Sequence, residues 1–291
     1  PGALTPLFTG TYVNRKQGIA ICAAVAIIER MTDLLTTSNP KTQKGVKYGW
    51  LSAIMHLAPS YSAGMGNMCP DASPQCIRFC LNKAGRGGIF KKGEKTNAVQ
   101  EARKFRTHRF VNDPDFSLDL DKEINSHANK ASRLGLKACV RLNGTSDIDW
   151  IRSTAFRGSL FDRWPNVQFY DYTKSFTRMM EFLTVEDYPK NYHLTFSRSE
   201  LNDDDCDTVL DYGGNVAVVF DSVPDSFRGR PVYNGDDSDL RFLDPKGVWI
   251  GLKAKGKLAR ETSAFKLTEE DVARINLESF NGICEEMGLA F

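Results

Sequence analysis

Short apolar and β-branched runs alternate along most of the chain with stretches whose apolar positions recur at helical spacing. The runs at 50–57 (WLSAIMHL), 137–142 (KACVRL), 167–172 (VQFYDY), 192–197 (YHLTFS) and 216–220 (VAVVF) read as strands, with later strands at 231–234 and 248–252. Between them, 96–108, 118–134, 153–164, 175–183 and 203–212 read as helices, and 269–287 as a closing helix. Strands separated by helices predict βα units with parallel neighbours, hence an α/β fold. A polar, turn-rich stretch at 39–47 (NPKTQKGVK) marks the boundary between an N-terminal appendage, 1–38, and a main domain, 39–291.

In parallel α/β folds, ligands gather at the carboxyl ends of the strands. Five successive strand ends here are polar. Asn143-Gly144-Thr145-Ser146-Asp147 follows the second strand, Asp171 to Lys174 end the third, and Ser197-Arg198-Ser199-Glu200 end the fourth. Asp221 and Ser222 end the fifth, and Asp236 to Asp239 follow the next. That succession predicts a lined site, although polar turns follow any strand. Strand alternation puts Arg141 and Asn143 on one face, and Thr195 with Ser197. A buried arginine needs an anionic partner, for which Asp171 or a ligand carboxylate would serve.

Between the first strand and the next helix lies Cys69-Pro-Asp-Ala-Ser-Pro-Gln-Cys76-Ile-Arg-Phe-Cys80, a C-x6-C-x3-C loop. Thiolates bind soft or borderline metals, and one short loop gathers three of them at small entropic cost. Cys76 and Cys80 share a face if a helix begins there. Structural zinc normally takes four protein ligands, and His56 is the nearest candidate for a fourth. A four-iron cluster held by three cysteines leaves one iron open. Plain buried cysteines are the remaining alternative.

Composition narrows the picture only a little. Apolar residues make up 41% and charged residues 25% of the 291, as in ordinary globular chains, and the net charge of +2 advertises no polyanionic partner. Seven cysteines, an odd number without regular spacing, argue against a secreted disulfide framework and for a cytoplasmic setting. The apolar stretch 18–28 (GIAICAAVAII) follows Arg15 and Lys16 like a signal peptide, but Glu29 and Arg30 follow it at once. It is shorter than the roughly 20 residues a membrane span needs and reads as a buried element. Lys91, Lys92, Lys95, Arg103, Lys104, Arg106 and Arg109, with Phe105 and Phe110 between them, offer a weak nucleic-acid signal beside the simpler reading of a solvated face. Ala84-Gly-Arg-Gly-Gly88 matches neither a Walker nor a Rossmann pattern, and no histidine pairs with a nucleophile.

The cysteine loop with its glycine-rich follower resembles the bacteriophage gene product 88 family. So do Val140 to Asp147, Phe169 to Lys174, Asn191 to Glu200, Asn215 to Phe220 and Gly247 to Gly256, so that the likeness spans roughly 40–260. The family implies a phage protein in the host cytoplasm and no established reaction. More remotely, the order of strand, three-cysteine loop, helix and further βα units resembles radical S-adenosylmethionine enzymes, whose usual spacing is C-x3-C-x2-C. That likeness implies a partial (β/α) barrel of about six parallel strands. It also implies a [4Fe–4S] cluster on Cys69, Cys76 and Cys80 that binds S-adenosylmethionine. Asn143, Thr145 and Asp147 would hold the methionyl part, Ser197, Arg198 and Ser199 would reach ribose or carboxylate, and Asp221 a ribose hydroxyl. The substrate would be a nucleotide, nucleic acid or peptide. The competing expectations are a zinc-stabilised, nucleic-acid-associated protein and a phage structural or host-interaction protein without catalysis.

Overall fold

The structure is a computed structural model and describes residues 33–286 apart from 39, 156 and 157. The stretch 18–28, and with it most of the expected appendage, lies outside the described residues. Ten strands follow in chain order: β1 (Leu35–Thr36), β2 (Trp50–Met55), β3 (Lys137–Arg141), β4 (Val167–Thr173), β5 (Tyr192–Ser197), β6 (Val216–Phe220), β7 (Ser226–Phe227), β8 (Arg230–Asn234), β9 (Trp249–Lys253) and β10 (Lys266–Leu267). The helices are α1 (Pro40–Lys44), α2 (Pro74–Arg78), α3 (Ala98–Asn112), α4 (Phe116–Arg133), α5 (Leu160–Arg163), α6 (Phe176–Thr184), α7 (Asp203–Asp211) and α8 (Glu269–Glu286).

All ten strands join one mixed, mostly parallel sheet in the order β1-β2-β3-β4-β5-β6-β9-β8-β7. From β2 to β8 every neighbour along this path is parallel, and the outer strands β1 and β7 pair antiparallel. The sheet does not close on itself among the described residues. β5 pairs with β6 only at Val216 and Ala217, whereas β10 takes Val219 and Phe220. The two strands therefore part toward their carboxyl ends, and β10 fills the gap.

Alternation sends two sets of side chains to opposite faces. Val140, Phe169, Leu194, Val216 and Trp249 face the main core with Phe116, Leu120 and Ile124 of α4, Met179 of α6, Val209 of α7 and Val272 of α8. Those α4 residues recur every four positions, which makes one apolar stripe. Burying each such side chain stabilises the fold by roughly 1.5–3 kcal/mol. The opposite face carries smaller clusters around Tyr170 with Leu240 and around Ala217 with Ile250.

Several expectations change in detail. The helix expected over 153–164 shrinks to α5, because Gly158 takes a left-handed φ of 78° and Ser159 starts a new helix, its hydroxyl accepting from Asp162 N at 3.2 Å. α2 ends at Arg78, so Cys80 lies beyond it and does not share its face with Cys76. Residues 34–38, assigned from the sequence to the appendage, carry β1, with Leu34 and Leu35 in the core. No helix among the described residues is long and apolar enough to cross a membrane.

Candidate functional site

A cleft of about 290 Å³ opens at the carboxyl ends of the parallel strands. Arg141, Tyr172, Val219 and Leu252, all on the sheet face away from the main helices, form its floor. Asn143, Thr145 and Asp147 enter from the turn after β3, Lys174 from the end of β4, and Ser197 from the end of β5. Asp236, Ser238 and Asp239 close it from the segment after β8, and Cys69, Cys76 and Cys80 from the loop after β2. Arg198, Ser199 and Asp221 are not among the lining residues, and neither is His56. Arg198 is held by Asp203 at 2.6 and 2.9 Å, Ser199 N donates to Asn202 Oδ1 at 2.6 Å, and Asp221 pairs with Lys266 at 2.6 Å.

The cysteine loop is tied to its surroundings at both ends. The Ser73 hydroxyl accepts from Cys76 N at 3.1 Å and caps α2, whose first turn begins with Pro74. Glu200, from the turn after β5, accepts from Ser73 Oγ at 2.8 Å and from Gln75 N at 3.0 Å, so a carboxylate sits at the positive end of the helix. Cys69 Sγ accepts from Ser60 N at 3.4 Å and contacts Thr145 O at 3.8 Å. Asp147 N donates to Met68 O at 2.8 Å. Beyond Cys80, α3 acts as a polar strut: Gln100 Nε2 donates to Gly87 O at 2.8 Å, and Arg103 to Asn82 Oδ1 at 2.6 Å. Much of the basic stretch of α3 is thereby accounted for, since Lys104 pairs with Glu101 and Arg109 with Asp113 and Asp119.

The turn after β3 organises itself before it meets any ligand. Asn143 Nδ2 donates to Ile148 O at 2.9 Å, while its Oδ1 accepts from Ser146 Oγ and Ile148 N, both at 2.9 Å. Asp147 accepts from Arg178 Nη1 at 2.6 Å and from Lys174 N at 2.8 Å. Gly144 lies so close to β2 that an added Cβ would meet Met55 O at 2.5 Å and His56 Cδ2 at 2.7 Å. Below them, fully buried Asp171 accepts from Asn143 N at 2.6 Å and Tyr192 Oη at 3.0 Å. Asp171 is therefore not the partner of Arg141, which instead meets Asp239 at 3.3 Å and lies over the Tyr172 ring at 4.6 Å.

Burial dominates the electrostatics of the thiols. It pushes Cys69 up to about 12, with Cys80, Asp147 and Cys76 adding to the rise and the Ser60 N–H opposing it. Burial likewise raises Cys76, against the pull of Lys174, and Cys80, against the Asn82 N–H. Lys174 has Ser197 as its polar partner, Nζ donating to Oγ at 2.6 Å, and lies over Phe265 at 5.2 Å.

Sequence reasoning placed Tyr172 and Glu200 among the polar strand ends but not in their roles, Tyr172 under the Arg141 guanidinium and Glu200 as the anchor of α2, and it missed Arg178 as the clamp on Asp147 and Lys44 in the lining. Among the described residues, no group of three or more His, Cys, Asp and Glu side chains is arranged as a metal-binding set. No curated protein and no solved structure matches the chain. The family model of gene product 88 matches residues 29–268, which takes in the whole cleft. With most of its length inside that match, the chain belongs to the phage gene product 88 family.

Proposed function

We propose that this protein is an iron–sulfur enzyme of radical S-adenosylmethionine type, with Cys69, Cys76 and Cys80 holding a [4Fe–4S] cluster at the mouth of the cleft. The observation that carries the reading is that all three cysteines of one loop line the same cleft as polar residues from the ends of β3, β4 and β5. Three soft sulfur donors suit iron, and binding must draw them together and release their protons. So held, the cluster supplies a one-electron reductant and an open iron, the chemistry that cleaves S-adenosylmethionine to methionine and a 5′-deoxyadenosyl radical. Parallel strands in chain order from β2 to β6, with the long helices packed on one face, support a partial (β/α) barrel as the underlying architecture.

The chain's own residues divide the remaining work. Glu200 and Ser73 fix the start of α2 and so the direction of Cys76. Thr145 Oγ1 donates to Leu57 O at 2.5 Å and keeps a lone pair for a ligand donor. Lys174 and Ser197 present a cation and a hydroxyl beside Cys76, suited to a carboxylate. Zinc fits less well, because the cleft lining has no histidine and Asp147, whose charge acts on Cys69 and Cys76, is paired with Arg178.

The test is anaerobic incubation of the reduced, iron-reconstituted protein with S-adenosylmethionine. Release of 5′-deoxyadenosine by the wild type but not by Cys76→Ser supports the reading. A cluster-loaded protein that releases none, or release that survives the substitution, refutes it.

A further inference from the structure

One edge of the cleft carries far more charge than the chain's net +2 implies. The segment that leaves the cysteine loop exposes Lys83, Arg86, Lys91, Lys92 and Lys95 with a single acid, Glu94, among them. β9 ends on exposed Lys253 and the segment after it exposes Lys255, Lys257 and Arg260, with Lys255 paired to Asp236 and Lys257 to Glu261. The start of the first stretch, as far as Ala84, lies beside the second. Phe79 packs on Ala254 and Leu258, Arg78 meets Glu261 at 2.9 Å, and a Cβ on Gly256 would touch Ala84 at 3.5 Å. Together they form one basic band beside the cleft, whose lining includes Leu81, Lys253 and Lys255.

Apolar side chains stand among these cations: Ile89 is 69% exposed, Leu81 51% and Phe90 41%. Cations that track a backbone, interleaved with apolar faces on which bases stack, are what an unpaired nucleic-acid strand needs. A duplex keeps its base faces stacked inside and fits the apolar positions poorly. The cleft floor adds a group for anything drawn inside. Arg141 is 6% exposed, and its Nε is buried without a hydrogen-bond partner. We propose that the band is a docking surface for single-stranded nucleic acid, which lays its backbone along the cations and turns a nucleotide into the cleft. This inference stands on charge and exposure and is independent of the metal.

The test uses the full chain and a fluorescein-labelled oligothymidylate of about 15 nucleotides, followed by anisotropy across a salt series. With about five phosphates engaged, affinity falls roughly 100-fold between about 50 and about 200 mM salt. The triple variant Arg86→Ala, Lys92→Ala, Lys95→Ala lowers the log–log salt slope by about 2 and weakens binding at least about tenfold. Phe90→Ala weakens binding by about tenfold and leaves the slope unchanged. The matching triple on α4, Lys122→Ala, Lys130→Ala, Arg133→Ala, removes as many exposed cations from elsewhere and leaves binding as it was. Equal loss in both triples, no binding at low salt, or a duplex of the same length bound as tightly overturns the proposal. Tighter binding to phosphatidylserine vesicles than to the oligonucleotide overturns it in favour of a membrane surface.

Discussion

Replacing Asp171 by asparagine separates a charge from the shape that carries it. Asp171 has no exposed surface, and burial raises its carboxyl from 3.8 to about 7, although Asn143 N–H, Arg141 and Tyr192 pull the other way. The unfolded chain releases this proton near pH 4, whereas the folded chain keeps it to about pH 7. Folding therefore takes up a proton in that window, and stability falls as pH rises through it. At 1.36 kcal/mol per unit, the full swing from 3.8 to about 7 is about 4 kcal/mol. Asparagine keeps an oxygen for Asn143 N–H and turns its amide toward Tyr192, whose hydroxyl then accepts, so the swap itself costs about 1 kcal/mol. Urea unfolding of both proteins at about pH 5 and about pH 9 isolates the term, since every other titrating group cancels in the difference. About 1.7 kcal/mol of the swing is already lost at about pH 5, so Asp171→Asn should be the more stable by up to about 1 kcal/mol at the lower pH and by about 3 kcal/mol at the higher, a change of about 2.7 kcal/mol. A difference that stays constant with pH, or one that moves toward the wild type as pH rises, refutes the assignment.

Three further substitutions probe how the site is held. Glu200→Ala removes the acceptor for Ser73 Oγ and Gln75 N, and should lower stability by about 1–2 kcal/mol in a denaturant melt and reduce metal uptake by the cysteine loop. Gly144→Ala forces a methyl against Met55 O and His56, and should cost about 1–3 kcal/mol in the same melt, with a changed near-ultraviolet dichroism. Arg178→Met strands Asp147 in a site where both side chains are about one-tenth exposed, so a loss of about 3 kcal/mol is expected by the same measurement.

The parallel strands were legible because each combines β-branched or aromatic alternation with a turn signal at its end. β5 and β6 begin and end where the pattern places them. β1, β7 and β10 are two residues each, too short for a period of two to register, yet β10 is what separates the ends of β5 and β6. The 153–164 stretch misleads because its apolar spacing is helical while Gly158 breaks the backbone. Arg141 announced a need for an anion, but its partner, Asp239, stands 98 positions later and is chosen by the way the segment after β8 folds over the sheet. The convergence of the cysteines on the polar strand ends follows from chain order alone. What each polar side chain does there does not: Asn143 turned out to brace its own loop, a role fixed by Ile148 and Ser146 rather than by residue type.

Iron and acid-labile sulfide counted per chain in anaerobically purified protein, with the electron paramagnetic resonance spectrum after reduction, address the cysteine loop most directly. About four irons and four sulfides, with the signal of a reduced [4Fe–4S] cluster, are expected from the wild type, and none from Cys76→Ser. A colourless protein that carries one zinc per chain, or no metal even after anaerobic reconstitution, contradicts the account.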